Sequence, residues 1–202
     1  MIPALLILLS FNLFAENPDT TISKIINHMD LIKSASKKFD IDYRILCSVI
    51  YTERTLNYTW EDKALDNVLA EVGLNSSIGF CQVKMKTAYW IEIQLSDTNS
   101  KYYCGDKYRY ILKESRSPEE IIKKLNNDTL NILYAAAYLK IMENRWLKAG
   151  FPINKRPDII GTLYSSGLFY IDGSERKPNA DPKANDFGTR TGKIYKKFYQ
   201  YY

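Results

Sequence analysis

Ile41-Asp42-Tyr43-Arg44-Ile45-Leu46-Cys47-Ser48-Val49-Ile50-Tyr51-Thr52-Glu53 sets Ile45, Leu46, Val49 and Ile50 on one stripe at helical spacing. Glu53 falls four and eight residues beyond Val49 and Ile45, and three and seven beyond Ile50 and Leu46, so the same period puts its carboxylate on the apolar face. A carboxyl partly removed from water resists ionisation. It then keeps a proton near neutral pH, as a general acid must. The bland reading of the same feature is a structural ion pair with Arg54 or another base.

Outward from this helix the chain keeps a period near 3.6. Thr20 and Thr21 can cap a helix through Ile22, Ile25, Ile26, Met29 and Ile32 to about Phe39, and another helix is predicted near Thr87 to Ile93. Ser96 to Ser115 has no period and reads as a loop. Ser117-Pro118-Glu119-Glu120 is a capping box with proline at the first helical position. Asn127 or Asp128 caps the longest stripe, Leu130, Leu133, Tyr134, Ala137, Tyr138 and Ile141, which ends near Gly150. Pro157 opens a further helix stopped by Gly167, and Gly192 to Tyr202 reads as a final basic, aromatic one. No long strand alternation appears. The predicted fold class is mostly α, with a small hairpin between Glu53 and Val83.

A chain of 202 residues is long enough for one domain with a core of its own. Its net charge of +5, densest at Lys193, Lys196 and Lys197, favours polyanions without choosing among them. Sixteen tyrosines against eight phenylalanines suit sugar binding, or equally a lineage that favours tyrosine codons. No zinc-ligand spacing, phosphate-binding glycine loop or RNA-binding aromatic motif is present, so neither a metal, a cofactor nor a nucleic acid is expected. The lone His28 reads as a surface or boundary residue. Met1 to Ala15 is an apolar run too short to span a bilayer and reads as a secretory signal cleaved after Ala15, with a buried first helix or uncleaved anchor as the alternative. Export would expose Cys47, Cys81 and Cys104 to oxidation, enough for one bridge of undetermined pairing.

Four short motifs follow one another. Ile50-Tyr51-Thr52-Glu53 comes first, then Gly79-Phe80-Cys81-Gln82-Val83 with Thr87-Ala88. Asn131-Ile132 with Ala135-Ala136-Ala137-Tyr138-Leu139 is third, and Leu163-Tyr164-Ser165-Ser166-Gly167 is last. Their order resembles the catalytic domain of the soluble lytic transglycosylases, a lysozyme-like family, over roughly residues 39 to 200. The resemblance implies a lysozyme-like helical domain from residue 16 to 202. It makes Glu53 the catalytic glutamate, Gln82 a residue lining the sugar groove, and Tyr138, Tyr164 and Ser165 further substrate-binding positions. Three departures stand out: Arg54 replaces the usual serine after the glutamate, Ser165 replaces an asparagine, and the gap from Glu53 to Gln82 is longer, with Ser76 or Ser77 standing in for its serine. Taken alone, Gly79 and Gly167 read as turns, Tyr138 as core and Gln82 as a backbone partner.

By the resemblance, Glu53 protonates the glycosidic oxygen between N-acetylmuramic acid and N-acetylglucosamine in peptidoglycan. It then takes the proton of the muramoyl C6 hydroxyl, which closes a 1,6-anhydro ring without water, metal or cofactor. The expected setting is outside the cytoplasm, periplasmic in the first instance. The expected partner is the glycan strand, met by a monomer that serves wall turnover, an envelope-spanning secretion or conjugation machine, or entry of a phage or plasmid. A goose-type lysozyme would add a second acid from Asp62, Asp66 or Glu71. A non-catalytic glycan-binding relative is the third reading.

Overall fold

Asn17 caps the first described helix: its side-chain oxygen accepts hydrogen bonds from the backbone of Asp19 (2.9 Å) and Thr20 (3.3 Å), with Pro18 at the first helical position. The computed structural model describes residues 16–57 and 77–200. The leader, Asp62, Asp66, Glu71 and Ser76 lie outside them. The cap is therefore Asn17, upstream of the two threonines expected to serve. The single early helix is also two, α1 (Pro18–Asn27) and α2 (Met29–Phe39), broken at His28. His28 is half-buried there, stacked on Phe80 with ring centroids 4.3 Å apart.

Helix α3 (Tyr43–Asn57) carries the decisive stripe and runs on past Glu53. Strands β1 (Ser77–Ile78) and β2 (Val83–Lys84) pair antiparallel, Ser77 with Lys84 and Ile78 with Val83, and form the expected small hairpin. Helix α4 (Met85–Ser96) follows, then a loop whose Tyr102, Tyr108 and Leu112 are buried. Ser117 caps α5 (Pro118–Leu125) by accepting from Glu120 N, while the Glu120 carboxylate reaches back to Arg116 N instead of Ser117 N. Asn127, not Asp128, caps α6 (Asp128–Lys148) by accepting from Leu130 N at 3.0 Å. Helix α7 (Pro157–Ser166) precedes α8 (Asp186–Tyr195). The mostly α class with a small hairpin is what the described residues form.

The last helix starts at Asp186, six residues before the expected Gly192. Asn185 caps it, and its early glycine has a packing reason: a Cβ on Gly188 would come within 2.1 Å of the Asp158 carbonyl and Thr162 Oγ1 on α7. Helix α8 thus lies flush on α7 and also against α3, where the hydroxyls of Thr191 and Thr52 meet at 3.2 Å. Helix α6 runs through the middle, with Tyr134 through Leu139 and Ile141–Met142 buried. Its own Tyr134 and the carboxylate of Glu92 on α4 share a buried hydrogen bond, and Lys124 neutralises that carboxylate from α5. All three cysteines are free thiols, so no bridge forms; burial pushes Cys47 and Cys104 up to about 12. Among the described residues no helix is long and apolar enough to cross a membrane.

Glu143 on α6 departs from the usual economy of a core. It is only 9 % exposed, yet no described side chain or backbone group forms a hydrogen bond or ion pair with it. Burial pushes its carboxyl from an ordinary 4.5 up to about 7; Lys140 opposes the shift and Asp42 adds to it. The folded chain holds this proton more tightly than the unfolded one, so stability should fall as pH rises from about 4.5 to 7 and stay at the lower level above that, a loss on the order of 3 kcal/mol. Glu143→Gln should remove this slope. Melting followed at pH 5 and pH 8 should show the variant close to the parent at the lower pH and more stable at the higher.

Candidate functional site

Helix α3 delivers Glu53 half-buried between two fully buried neighbours, Thr52 and Arg54. Arg54, one position on and turned about 100° around the helix, has no exposed surface and accounts for its guanidinium elsewhere. Its Nε and second terminal nitrogen donate to the Glu16 carboxylate at 2.7 and 3.1 Å, and its first terminal nitrogen to the Phe80 carbonyl at 3.1 Å. The Phe80 ring lies 4.9 Å from the guanidinium carbon. Burial works against ionisation of Glu16, but hydrogen bonds from Arg54, Lys24 and Thr21 outweigh it and hold the carboxyl below its ordinary value. Arg54 thus forms a buried ion pair with Glu16.

Facing this helix end, the 79–82 turn of the hairpin is clamped from below by Asn131. Its side-chain oxygen accepts from Cys81 N at 2.7 Å, and its nitrogen donates to the carbonyls of Ile78 and Leu125 at 2.8 and 2.9 Å. An amide that satisfies three buried backbone groups cannot be swapped for an apolar residue without orphaning them. Gly79 is needed for two reasons: its φ is 78°, and a Cβ would meet Asn131 Nδ2 and Leu125 O at 2.3 Å. Gln82 also takes a positive φ of 53°, with its side-chain nitrogen donating to Gly79 O at 2.9 Å. Its side-chain oxygen has no hydrogen-bond partner among the described residues.

From the other side Tyr164 on α7 donates its hydroxyl to the Cys81 carbonyl at 2.7 Å, and its ring lies 5.9 Å from that of Tyr138 on α6. Burial first, then the neighbouring Cys81, Glu53 and Tyr138, push the Tyr164 hydroxyl well above its ordinary value, so it stays protonated and remains a donor. Ser165 is exposed at the rim, where the Asn185 side chain donates to its Oγ at 3.0 Å.

These pieces enclose a cavity of about 610 Å³ whose wall includes Glu53, Ser77, Gln82, Tyr138, Tyr164 and Ser165. Each described candidate from the sequence lines this one space. Glu53 is the only carboxylate among the described residues on its wall. No described group of three or more His, Cys, Asp or Glu side chains could hold a metal ion.

The wall also holds residues that the motifs did not flag: Lys84, Lys86, Trp90 and Phe169. Trp90 packs edge-on to Tyr138, Tyr102 and Phe169 at 6.2, 5.0 and 5.9 Å. Phe169 is carried by a loop that Glu175 fastens down, accepting from Arg145 at 2.7 and 3.0 Å, Lys101 at 2.7 Å and Tyr102 at 2.8 Å. Burial opposes ionisation of Glu175, yet those donors hold its carboxyl down at about 2. A tryptophan beside the Thr87-Ala88 motif was the one local signal for this aromatic wall. Phe169 had none, since only the folded loop brings it there.

Glu16→Ala leaves a guanidinium without its counter-charge where water cannot reach it, which should cost about 3–5 kcal/mol in urea denaturation. The pair's contribution should also fade on acidification, because Glu16 titrates lower folded than unfolded and so loses it as pH drops through the folded value. No family model matches the chain, and no curated protein matches it either.

Proposed function

We propose that the protein cleaves the glycan strand of bacterial peptidoglycan as a lytic transglycosylase, with Glu53 as its single acid and base. The observation that carries this reading is the convergence of the matched residues Glu53, Gln82, Tyr138, Tyr164 and Ser165 on one cavity in which Glu53 is the only described carboxylate. A lone carboxyl set against tyrosines and an amide suits a reaction in which one group first gives a proton to the leaving oxygen and then recovers one from the C6 hydroxyl. Tyr164, held neutral with its proton committed to the Cys81 carbonyl, and the unbonded oxygen of Gln82 supply acceptor surfaces for sugar hydroxyls and N-acetyl N–H groups. The rings of Trp90 and Phe169 offer flat apolar walls to pyranose faces. Lys84 and Lys86 suit the carboxylates of the stem peptides, or of the lactyl groups on muramoyl residues that carry no stem peptide. Export of the chain, removal of its first fifteen residues and work outside the cytoplasm as a monomer belong to the same proposal.

Glu53→Gln is nearly isosteric and should leave melting and glycan affinity close to the parent while lowering turnover of purified sacculi by about a hundred- to ten-thousand-fold. Muropeptides released by the parent should carry 1,6-anhydro ends in mass spectra. Hydrolysed reducing ends, together with an equally inactive Asp62→Asn, Asp66→Asn or Glu71→Gln that still folds, would replace this mechanism with the two-carboxylate one.

A further inference from the structure

A second cavity, of about 760 Å³, opens at the other end of α3 and shares no described wall residue with the first. Arg44 at its edge and Glu53 in the groove are nine residues apart on one helix, roughly 14 Å along the axis. On α6, Tyr138 faces the groove and Glu143 the second cavity, five residues on and so about 140° around the helix. The volume lies within the range of small-molecule sites, roughly 300–1,000 Å³.

Charge on this wall is self-cancelling: Asp40, Asp42 and Glu143 are matched by Arg44, Lys140 and Lys155. Asp42 is saturated by Arg44, which donates at 2.6 and 2.9 Å, and by the Tyr195 hydroxyl at 2.8 Å; Lys107 holds Asp40. Glu143 is different, nine-tenths buried, on the cavity wall and without a hydrogen bond from any described residue. Beside it, the Asn144 side-chain nitrogen is fixed to the Tyr103 carbonyl at 2.8 Å, while its oxygen accepts no hydrogen bond from any described residue. Tyr199 completes the rim with a ring 53 % exposed, its orientation held by the Arg44 guanidinium 4.1 Å from its centroid.

A bare ammonium or metal cation would meet Lys140 and Lys155 beside the carboxyl, and an anion would meet Glu143 itself. What the wall lacks is uncharged hydrogen-bond donors for Glu143 and Asn144, next to a half-exposed ring. Hydroxyl and acetamido N–H groups on a pyranose supply such donors, and the C–H face of the same ring lies flat on an aromatic. We infer that this cavity is a second saccharide-binding site, separate from the groove, in which Glu143 and Asn144 accept sugar hydroxyls and Tyr199 carries the ring face. Retention of a buried carboxyl at a cost in stability is what a ligand contact explains.

The test is a titration of the full chain carrying Glu53→Gln with tetra-N-acetylchitotetraose, followed on backbone amides by NMR. The inference expects two sets of shifts, one around Thr87, Trp90 and Tyr164 and the other around Asn144, Lys155 and Tyr199. At pH 8, where the Glu143 carboxyl is ionised, adding Glu143→Gln should weaken the second set about tenfold or more and leave the first unchanged. Tyr199→Ala, at the open rim, should act in the same direction without touching the core. Shifts confined to the groove set, or a second set indifferent to both changes, overturn the inference while the proposed function stands. A second set without the first leaves the inference standing and counts against the groove as a glycan site; shifts in neither set count against both.

Discussion

A guanidinium with no exposed surface has to be neutralised where it lies, and Arg54 is neutralised by residues far apart in sequence. Glu16 comes from the segment before α1 and the Phe80 carbonyl from the hairpin turn, so one side chain fastens three parts of the chain at the end of α3. The backbone repeats the connection, since Glu16 N donates to Arg54 O at 3.0 Å. Because Arg54 is adjacent to Glu53, its placement sets the pitch and direction of the helix end that presents the carboxyl. Asn131 performs the matching task for the opposite wall. The groove is thus bounded by two hydrogen-bonded polar clamps, and its geometry is stiff where a loop alone would be loose.

Against that stiffness, the chemistry proposed for the site asks little of the protein beyond placement. One carboxyl at the groove wall, one tyrosine hydroxyl locked as a donor and one amide oxygen left over from a strained turn are all produced by the same backbone contacts. Gln82 adopts its positive φ because the 79–82 turn is pulled tight over Asn131, and the tightness holds its amide on the cavity side. Arg54 therefore anchors the helix end without itself entering the described groove wall.

Much of this was legible in the chain, and the rest was not for definite reasons. The stripe of Ile45, Leu46, Val49 and Ile50 disclosed α3 and the face on which Glu53 lies, and the caps at Ser117 and Asn127 were marked by side chains suited to free backbone donors. The break at His28 was hidden because Ile25, Met29 and Ile32 keep helical spacing across it. The start of α8 was hidden because Gly188 and Gly192, poor helix formers, are chosen for contact with α7 and not for propensity. The Arg54–Glu16 pair joins positions 38 apart, and no local pattern encodes it. Trp90 and Phe169 meet only after α4 and the 168–176 loop are packed, so the aromatic wall is a tertiary property.

The span of these contacts bears on when a working groove can exist. Asn131 reaches back fifty residues to Cys81, Tyr164 reaches back eighty-three to the same residue, and Thr191 meets Thr52 across one hundred and thirty-nine. Loops of that length close late, after local helices have formed. A folding chain can form α3 early, yet it has no second wall until α7 is packed and no backing for either until α8 follows. A chain truncated before Thr191 would therefore keep Glu53 on α3 but lack the helix that backs both α3 and α7.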